Sequence, residues 1–252
     1  MSHVLITNDD GIDSYFLKIL VENLMPRFKV TVVAPQREQS WIGRSFSRHR
    51  TVSWQRSYQF EGCEAYAVDG TPSDCVNIAM GNLLTDTPDI VCSGINVGVN
   101  ATLPVIFASG TVAGAMEGAF WGLPALAFSQ QLSKQDFAAM TRKLDPIGKP
   151  VIDSIKASGC IAADLTLALL ESPEEDPCVH NINFPVRTTL DTPQEFTRLA
   201  PCKMPKLFTP ESPDTYTFKH TEKPDRVPED SDYACLERGH ISKSVLRLSS
   251  LC

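Results

Sequence analysis

The feature that most constrains this chain is a repeated alternation. Short unbroken apolar runs are separated by stretches with helical spacing, and three of the runs end in a polar cluster. His3–Thr7 carries Val-Leu-Ile and reads as a strand buried on both faces. Tyr15–Leu24 follows, with Phe16, Ile19, Leu20 and Leu24 on one helical face. Lys29–Ala34 is a second buried strand stopped by Pro35. Strand, helix and strand joined by short links make a βαβ unit, which needs a parallel sheet.

The pattern continues along the chain. Glu64–Val68, Asp89–Cys92, Pro124–Phe128 and Val179–Phe184 read as further strands, the last as the final core strand. Pro72–Leu84 reads as a helix with Thr71 as N-cap and Pro72 in its first position. Thr111–Trp121 reads as a helix of small residues suited to close packing on a sheet. Gln135–Ile155 contains a helix that Pro146 and Pro150 interrupt. After Pro185 the composition turns to Pro, Thr, Lys, Glu and Asp, and Arg187–Asp232 reads as an extended lobe of loops or hairpins. Ala234–Leu248 regains apolar content and docks back on the body. The expected architecture is α/β: a Rossmann-like parallel core over residues 1–185 and a C-terminal extension over 186–252. A chain of 252 residues can bury a core of that size.

Charge and cysteine usage exclude several classes. The net charge of −7 argues against a broad nucleic-acid surface, so no nucleic-acid polymer is expected as a partner. The arginines of Arg44–Arg56 read as a solvated loop or edge strand. No apolar run approaches the ~20 residues that span a bilayer. Met1–Asp10 turns acidic before any export signal develops, so a cytosolic protein without a membrane partner is expected. The eight cysteines include no C-x-x-C, which leaves out zinc spacing and suits free thiols. Lone histidines such as His180 read as structural.

In open parallel sheets, ligands bind beyond the carboxyl ends of the strands. Asn8-Asp9-Asp10-Gly11, Gln36–Ser40 and Ser93-Gly94-Ile95-Asn96 each follow a strand there. Adjacent carboxylates repel, and a hard cation offsets the repulsion through oxygen ligands. Asp9 and Asp10 are therefore the expected ligands of one divalent cation, with neutral oxygens from Ser40 and Asn96 completing the shell alongside water. That shell suits Mg²⁺, Mn²⁺ or Ca²⁺. Taken alone, an Asp-Asp dipeptide is better read as an acidic turn. The Ser109-Gly110-Thr111 step enters a helix, where free amides and the helix dipole can receive a phosphate, although the motif alone reads better as a plain N-cap. The glycine spacings match neither G-x-G-x-x-G nor a P-loop.

Five segments together resemble the stationary-phase survival (SurE) 5′/3′-nucleotidases. They are Asn8–Asp13, Ala34-Pro35 with Arg37–Ser40, Gly70–Val76, Ser93–Asn96 with Gly98 and Asn100, and Ser109–Val112 running to Glu117-Gly118. Asn181-Ile182-Asn183 with Pro185, and Asp232 with Ala234, Gly239 and Ser242, resemble that family's later segments. The resemblance implies hydrolysis of nucleoside monophosphates, and of short polyphosphate in some members. It implies a metal on Asp9, Asp10, Ser40 and Asn96, with Asp9 and Asn100 as catalytic residues. Asn100 and Ser109-Gly110-Thr111 match positions near the phosphate. It implies a homodimer or homotetramer whose C-terminal extension exchanges between subunits. Three places depart from the family. Trp41 stands where Gly is usual, Ala101-Thr102-Leu103-Pro104 replaces a Leu-Gly-x-Asp stretch and is one residue longer, and Lys243-Ser244-Val245 replaces Ile-Thr-Pro. The same residues without turnover would make a nucleotide-binding protein. A receiver-type signalling domain would need an Asp at the end of the Asp89 strand, which holds Asn96.

Overall fold

The computed structural model describes residues 1–142, 147–204, 206–219, 224 and 226–251. In chain order the core elements are β1 (His3–Thr7), α1 (Tyr15–Leu24), β2 (Lys29–Pro35), β3 (Trp54–Ser57), β4 (Glu64–Val68), α2 (Pro72–Ile78), β5 (Ile90–Val97), α3 (Leu103–Ala108), α4 (Gly110–Phe120), β6 (Ala125–Gln130), α5 (Lys134–Arg142), α6 (Lys149–Glu171) and β7 (Cys178–Phe184). There follow β8 (Gln194–Phe196), β9 (Phe208–Ser212), β10 (Thr215–Phe218), α7 (Asp232–Glu237) and β11 (Ile241–Arg247). Among the described residues no helix is long and apolar enough to cross a membrane.

One nine-stranded sheet runs in the order β3-β4-β2-β1-β5-β6-β7-β11-β8. The pairs from β4 through β7 are parallel, and β3 and β11 add antiparallel to β4 and β7. β1 sits at the middle: the chain moves outward to β2 and β4 on one side, then restarts at β5 on the other. That reversal opens a crevice at the carboxyl ends of β1 and β5, where ligands of open α/β sheets bind.

Both faces of the sheet are covered, which is why its strands are continuous apolar runs rather than alternating ones. Val4 and Ile6 face a core shared with Phe16, Leu20, Phe128 and Ile155. Leu5 faces the opposite layer, with Val33, Val68, Val76 and Val91. α4 lies unusually close to the sheet because its small residues allow it. A Cβ on Gly118 would stand 2.5 Å from the Cβ of Val91. Hence α4 tolerates no side chain at that position.

Several expectations hold in detail. Thr71 and Asp74 form a reciprocal capping box at the start of α2, with Pro72 in its first turn. The helix read over Pro72–Leu84 changes character, widening over Ala79–Leu83 into a π turn in which Leu84 N–H reaches Ala79 C=O at 3.0 Å. Pro150 starts α6 instead of interrupting it, since a first-turn proline loses no helical hydrogen bond. That helix then runs to Glu171, well past the expected end at Ile155. Pro146 lies outside the described residues.

One sequence expectation needs correction. Val179–Phe184 is not the last strand of the sheet, because β11 pairs with β7 in the register Ser242↔Asn183 to Arg247↔Cys178. Its sequence, ISKSVLR, is too polar to read as core. The polarity has a structural reason: Ser242 and Ser244 are buried opposite Asn183 and Asn181. Arg187–Asp232 does contain a hairpin, β9–β10, as well as β8, which adds to β11. Arg44–Arg56 is a loop leading into the edge strand β3.

Candidate active site

The site is built where β1 ends. Asn8 is buried, and its amide donates to Gly11 C=O at 2.9 Å, which closes the turn that presents Asp9. Gln39 N–H donates to Asp9 C=O at 2.7 Å, so the segment after β2 is tied directly to the end of β1. α4 enters from the third side. Thr111 donates its hydroxyl to Asp9 Oδ1. A Cβ on Gly110 would sit 2.8 Å from Asp9 Cβ, 3.0 Å from Asp9 Oδ2 and 3.1 Å from Gln39 C=O. The three polar clusters do meet at one rim of the sheet.

Asp9 is 4% exposed. Burial raises its pKa to about 6, against the opposing effect of the Thr111 hydrogen bonds. Asp10 is pushed well above the ordinary carboxylate range, first by burial and then by the neighbouring charge of Asp9, while Val97 N–H donates to its Oδ2 at 2.9 Å. Among the described residues no Lys, Arg or His forms a salt bridge with either carboxylate. Two carboxylates taken out of water without a protein counter-charge call for a cation or for protons.

The pH dependence follows from that burial. The folded pKa of Asp9 lies above its ordinary value of 3.8, so the folded chain keeps a proton that the unfolded chain has lost. Stability of the metal-free protein is therefore complete below pH ~4, falls between about 4 and 6, and stays reduced above. In EDTA, Asp9→Asn is expected to melt above the parent at pH 8, with the gap narrowing as the pH falls and closing below pH ~4. A pH-independent gap in thermal melts would refute this.

One cavity of about 790 Å³ opens over the crevice, and Asp9, Ser40, Asn96, Asn100 and Ser109 all line it. Asp10, Gly110 and Thr111 adjoin Asp9 without lining the cavity. Thr111 is fully buried with its hydroxyl on Asp9, so it orients a carboxylate instead of offering that hydroxyl to a phosphate. Ser109 caps α4, its Oγ accepting from Val112 N–H at 3.0 Å. Asn96 donates its amide to Gly98 C=O at 3.1 Å, which leaves its carbonyl oxygen as the atom able to take a cation. Among the described residues no group of three or more His, Cys, Asp or Glu is placed to hold a metal ion by itself. A cation here must draw on neutral oxygens, and the hydroxyl of Ser40 and the amide oxygen of Asn96 are of the kind that Mg²⁺ or Mn²⁺ accepts.

Asn100 is held by residues whose part the sequence left unread. Its N–H donates to Asn183 Oδ1 at 2.8 Å, and its C=O accepts from Asn181 Nδ2 at 2.8 Å and Asn183 Nδ2 at 3.1 Å. Its own amide donates to Ser129 Oγ at 2.8 Å. Two residues on, Asp232 of α7 accepts from Thr102 N–H at 2.7 Å and from Ala200 N–H at 2.9 Å. The available signal was the period of two in Asn181-Ile182-Asn183, which places both amides on one face of a strand. Asn183→Ala should leave the backbone N–H of Asn100 buried and unpaired. A cost of ~1–3 kcal/mol is expected, with a fall in kcat/KM of about tenfold from a displaced Asn100. Thermal melts and initial rates would check both, and Asn183→Asp, which keeps the acceptor, should recover part of the loss.

The family model described as "Survival protein SurE" matches residues 4–206. A Methanosarcina mazei protein named "5'-nucleotidase SurE" is 33% identical over 257 residues, covering 98% of this chain and 92% of that one. A Thermoanaerobacter protein of the same name is 41% identical over 127 residues, and the match spans only half the length of each chain. The crystal structure titled as a SurE protein from Aquifex aeolicus superposes with a TM-score of 0.77 at 26% identity, over 98% of this chain and 93% of that one.

Proposed function

This chain belongs to the survival protein SurE family, and from that premise we propose that it is a metal-dependent 5′-nucleotidase, a phosphoric monoester hydrolase acting on nucleoside monophosphates. The observation that carries the reading is the Asp9-Asp10 pair at the sheet's switch point, with Asp9 buried at the N-terminus of α4 and neither carboxylate in a salt bridge among the described residues. Asp9, Asp10, Ser40 and Asn96 would hold one Mg²⁺ or Mn²⁺. When bound, such a cation neutralises phosphoryl charge and lowers the pKa of water.

The chain's own residues supply the rest. Asp9 Oδ1 is fixed by Thr111, so the carboxylate meets its ligand without reorganising. Ser109, the N-cap of α4, lines the cavity beside it, and its hydroxyl suits a phosphate oxygen. Asn100, clamped through its backbone, offers its side chain to the same space. The exposed Phe196, Phe208 and Tyr216 support a homodimer or homotetramer formed through residues 186–252. The seven free cysteines among the described residues fit a reducing, cytosolic setting.

The test is phosphate release from p-nitrophenyl phosphate with Mg²⁺ or Mn²⁺, followed by a panel of nucleoside 5′- and 3′-monophosphates and short polyphosphate. Release that needs the cation and favours 5′-monophosphates is expected. No release from any substrate, or equal release in EDTA, would overturn the proposal.

A further inference from the structure

Trp41 follows Ser40 directly and has a left-handed backbone, φ 59°. That region is unfavourable for a bulky L-residue, and a glycine would occupy it freely. Strain of this kind persists where surrounding structure holds it, and it concentrates at ligand sites. Here it places a large aromatic ring in the wall of the cavity that also holds Asp9 and Ser109. The ring is braced. Its centroid lies 5.1 Å from that of Phe218 in β10, edge to face at 62°, and Phe218 lies 5.6 Å from Phe208 in β9 at 84°. Phe137 and Tyr233 line the same cavity. At about 790 Å³ the space far exceeds what a phosphate fills and falls within the range of small-molecule sites.

Building on the nucleotidase reading above, we propose that Trp41, buttressed by Phe218, is the seat on which the substrate's nucleobase stacks. In a nucleoside 5′-monophosphate the ribose separates base from phosphate. A base seat must therefore stand beside the phosphate end of the cavity and not within it. Trp41 is one residue from Ser40 and meets that requirement. Stacking on an indole is available to every base, so the seat selects for a planar aromatic group over none, without choosing among bases. The enzyme thereby favours nucleotides over sugar phosphates that share the same phosphate and ribose.

The experiment compares adenosine 5′-monophosphate with ribose 5-phosphate, both with Mn²⁺, in the parent, Trp41→Gly and Trp41→Phe. The parent should prefer the nucleotide in kcat/KM. Trp41→Gly should shrink that preference by about tenfold, chiefly through KM for the nucleotide, and Trp41→Phe should restore most of it. Glycine suits the backbone at this position, so the variant should fold, and a thermal melt confirms that. A purely structural role would lower both substrates alike and leave the ratio unchanged, which overturns the proposal. Fluorescence gives a readout independent of turnover. The nucleotide should quench the parent's emission and ribose 5-phosphate should not. Trp41→Phe should lose the response although Trp54 and Trp121 remain. Quenching that survives in Trp41→Phe overturns the proposal. Quenching lost in that variant supports it even if no substrate is hydrolysed, in which case the nucleotidase reading alone falls.

Discussion

Asp9→Asn is expected to fold normally and to lose cation-dependent hydrolysis by a factor of about 10³ or more, the several kcal/mol that a bound cation contributes to phosphoryl transfer. The fold survives because asparagine keeps the size of the side chain and an oxygen to accept from Thr111. The charge is what disappears. With one carboxylate left, the site holds a divalent cation through Asp10 and neutral oxygens alone, so affinity falls together with rate. Calorimetric titration with Mn²⁺ and initial rates on a nucleoside monophosphate measure the two losses. Parent-level activity in EDTA, or unchanged activity of the variant, would remove Asp9 from the centre of the mechanism.

Gly110→Ala should cost about 10² in kcat/KM, the scale of a ~1 Å misplacement of a catalytic group. Helix propensity alone predicts the opposite sign for stability, since alanine exceeds glycine by about 1 kcal/mol inside a helix. The new Cβ, however, would stand 2.8 Å from Asp9 Cβ and 3.1 Å from Gln39 C=O. Neither neighbour is a flexible chain end. Asp9 is held by Thr111 through its side chain and by Gln39 through its backbone. The methyl group must push the carboxylate or lift α4 from the rim. Rates that collapse while the melting temperature moves by a few degrees would identify displacement of Asp9 as the cause. An active Gly110→Ala would mean that the rim is looser than this packing.

The parallel core was legible because its strands are buried on both faces, and such strands announce themselves as runs like Val4-Leu5-Ile6 and Val30-Thr31-Val32-Val33. Elements that break this rule were missed or, like β3, left open between a loop and an edge strand. β3 is an exposed edge strand, WQRS, with no apolar period. β11 buries serines against asparagines, which no hydrophobicity count detects. α3 is six residues long and begins after Thr102, whose φ of 74° is not foreshadowed by its sequence. The residues around the site followed the same division. Asp9, Ser40, Asn96, Asn100 and Ser109 could be placed at strand ends or matched to motifs, and they line one cavity. What positions them could not be read: the Thr111 hydroxyl on Asp9, and the Asn181 and Asn183 amides on the backbone of Asn100. Those depend on register between strands far apart in the chain.

The bond from Asp232 to Thr102 spans 130 residues and reaches the loop that carries Asn100. It bears on how the protein comes into being on the ribosome. The acidic pair and the first half of the sheet emerge early, yet the loop beside them gains this second anchor only after α7 has been made. A nascent chain halted before α7 would have its carboxylates and the Asn181 and Asn183 amides on Asn100, and would lack the anchor of Thr102. The last turn of that loop is thereby set by a helix made long after the strands it lies beside.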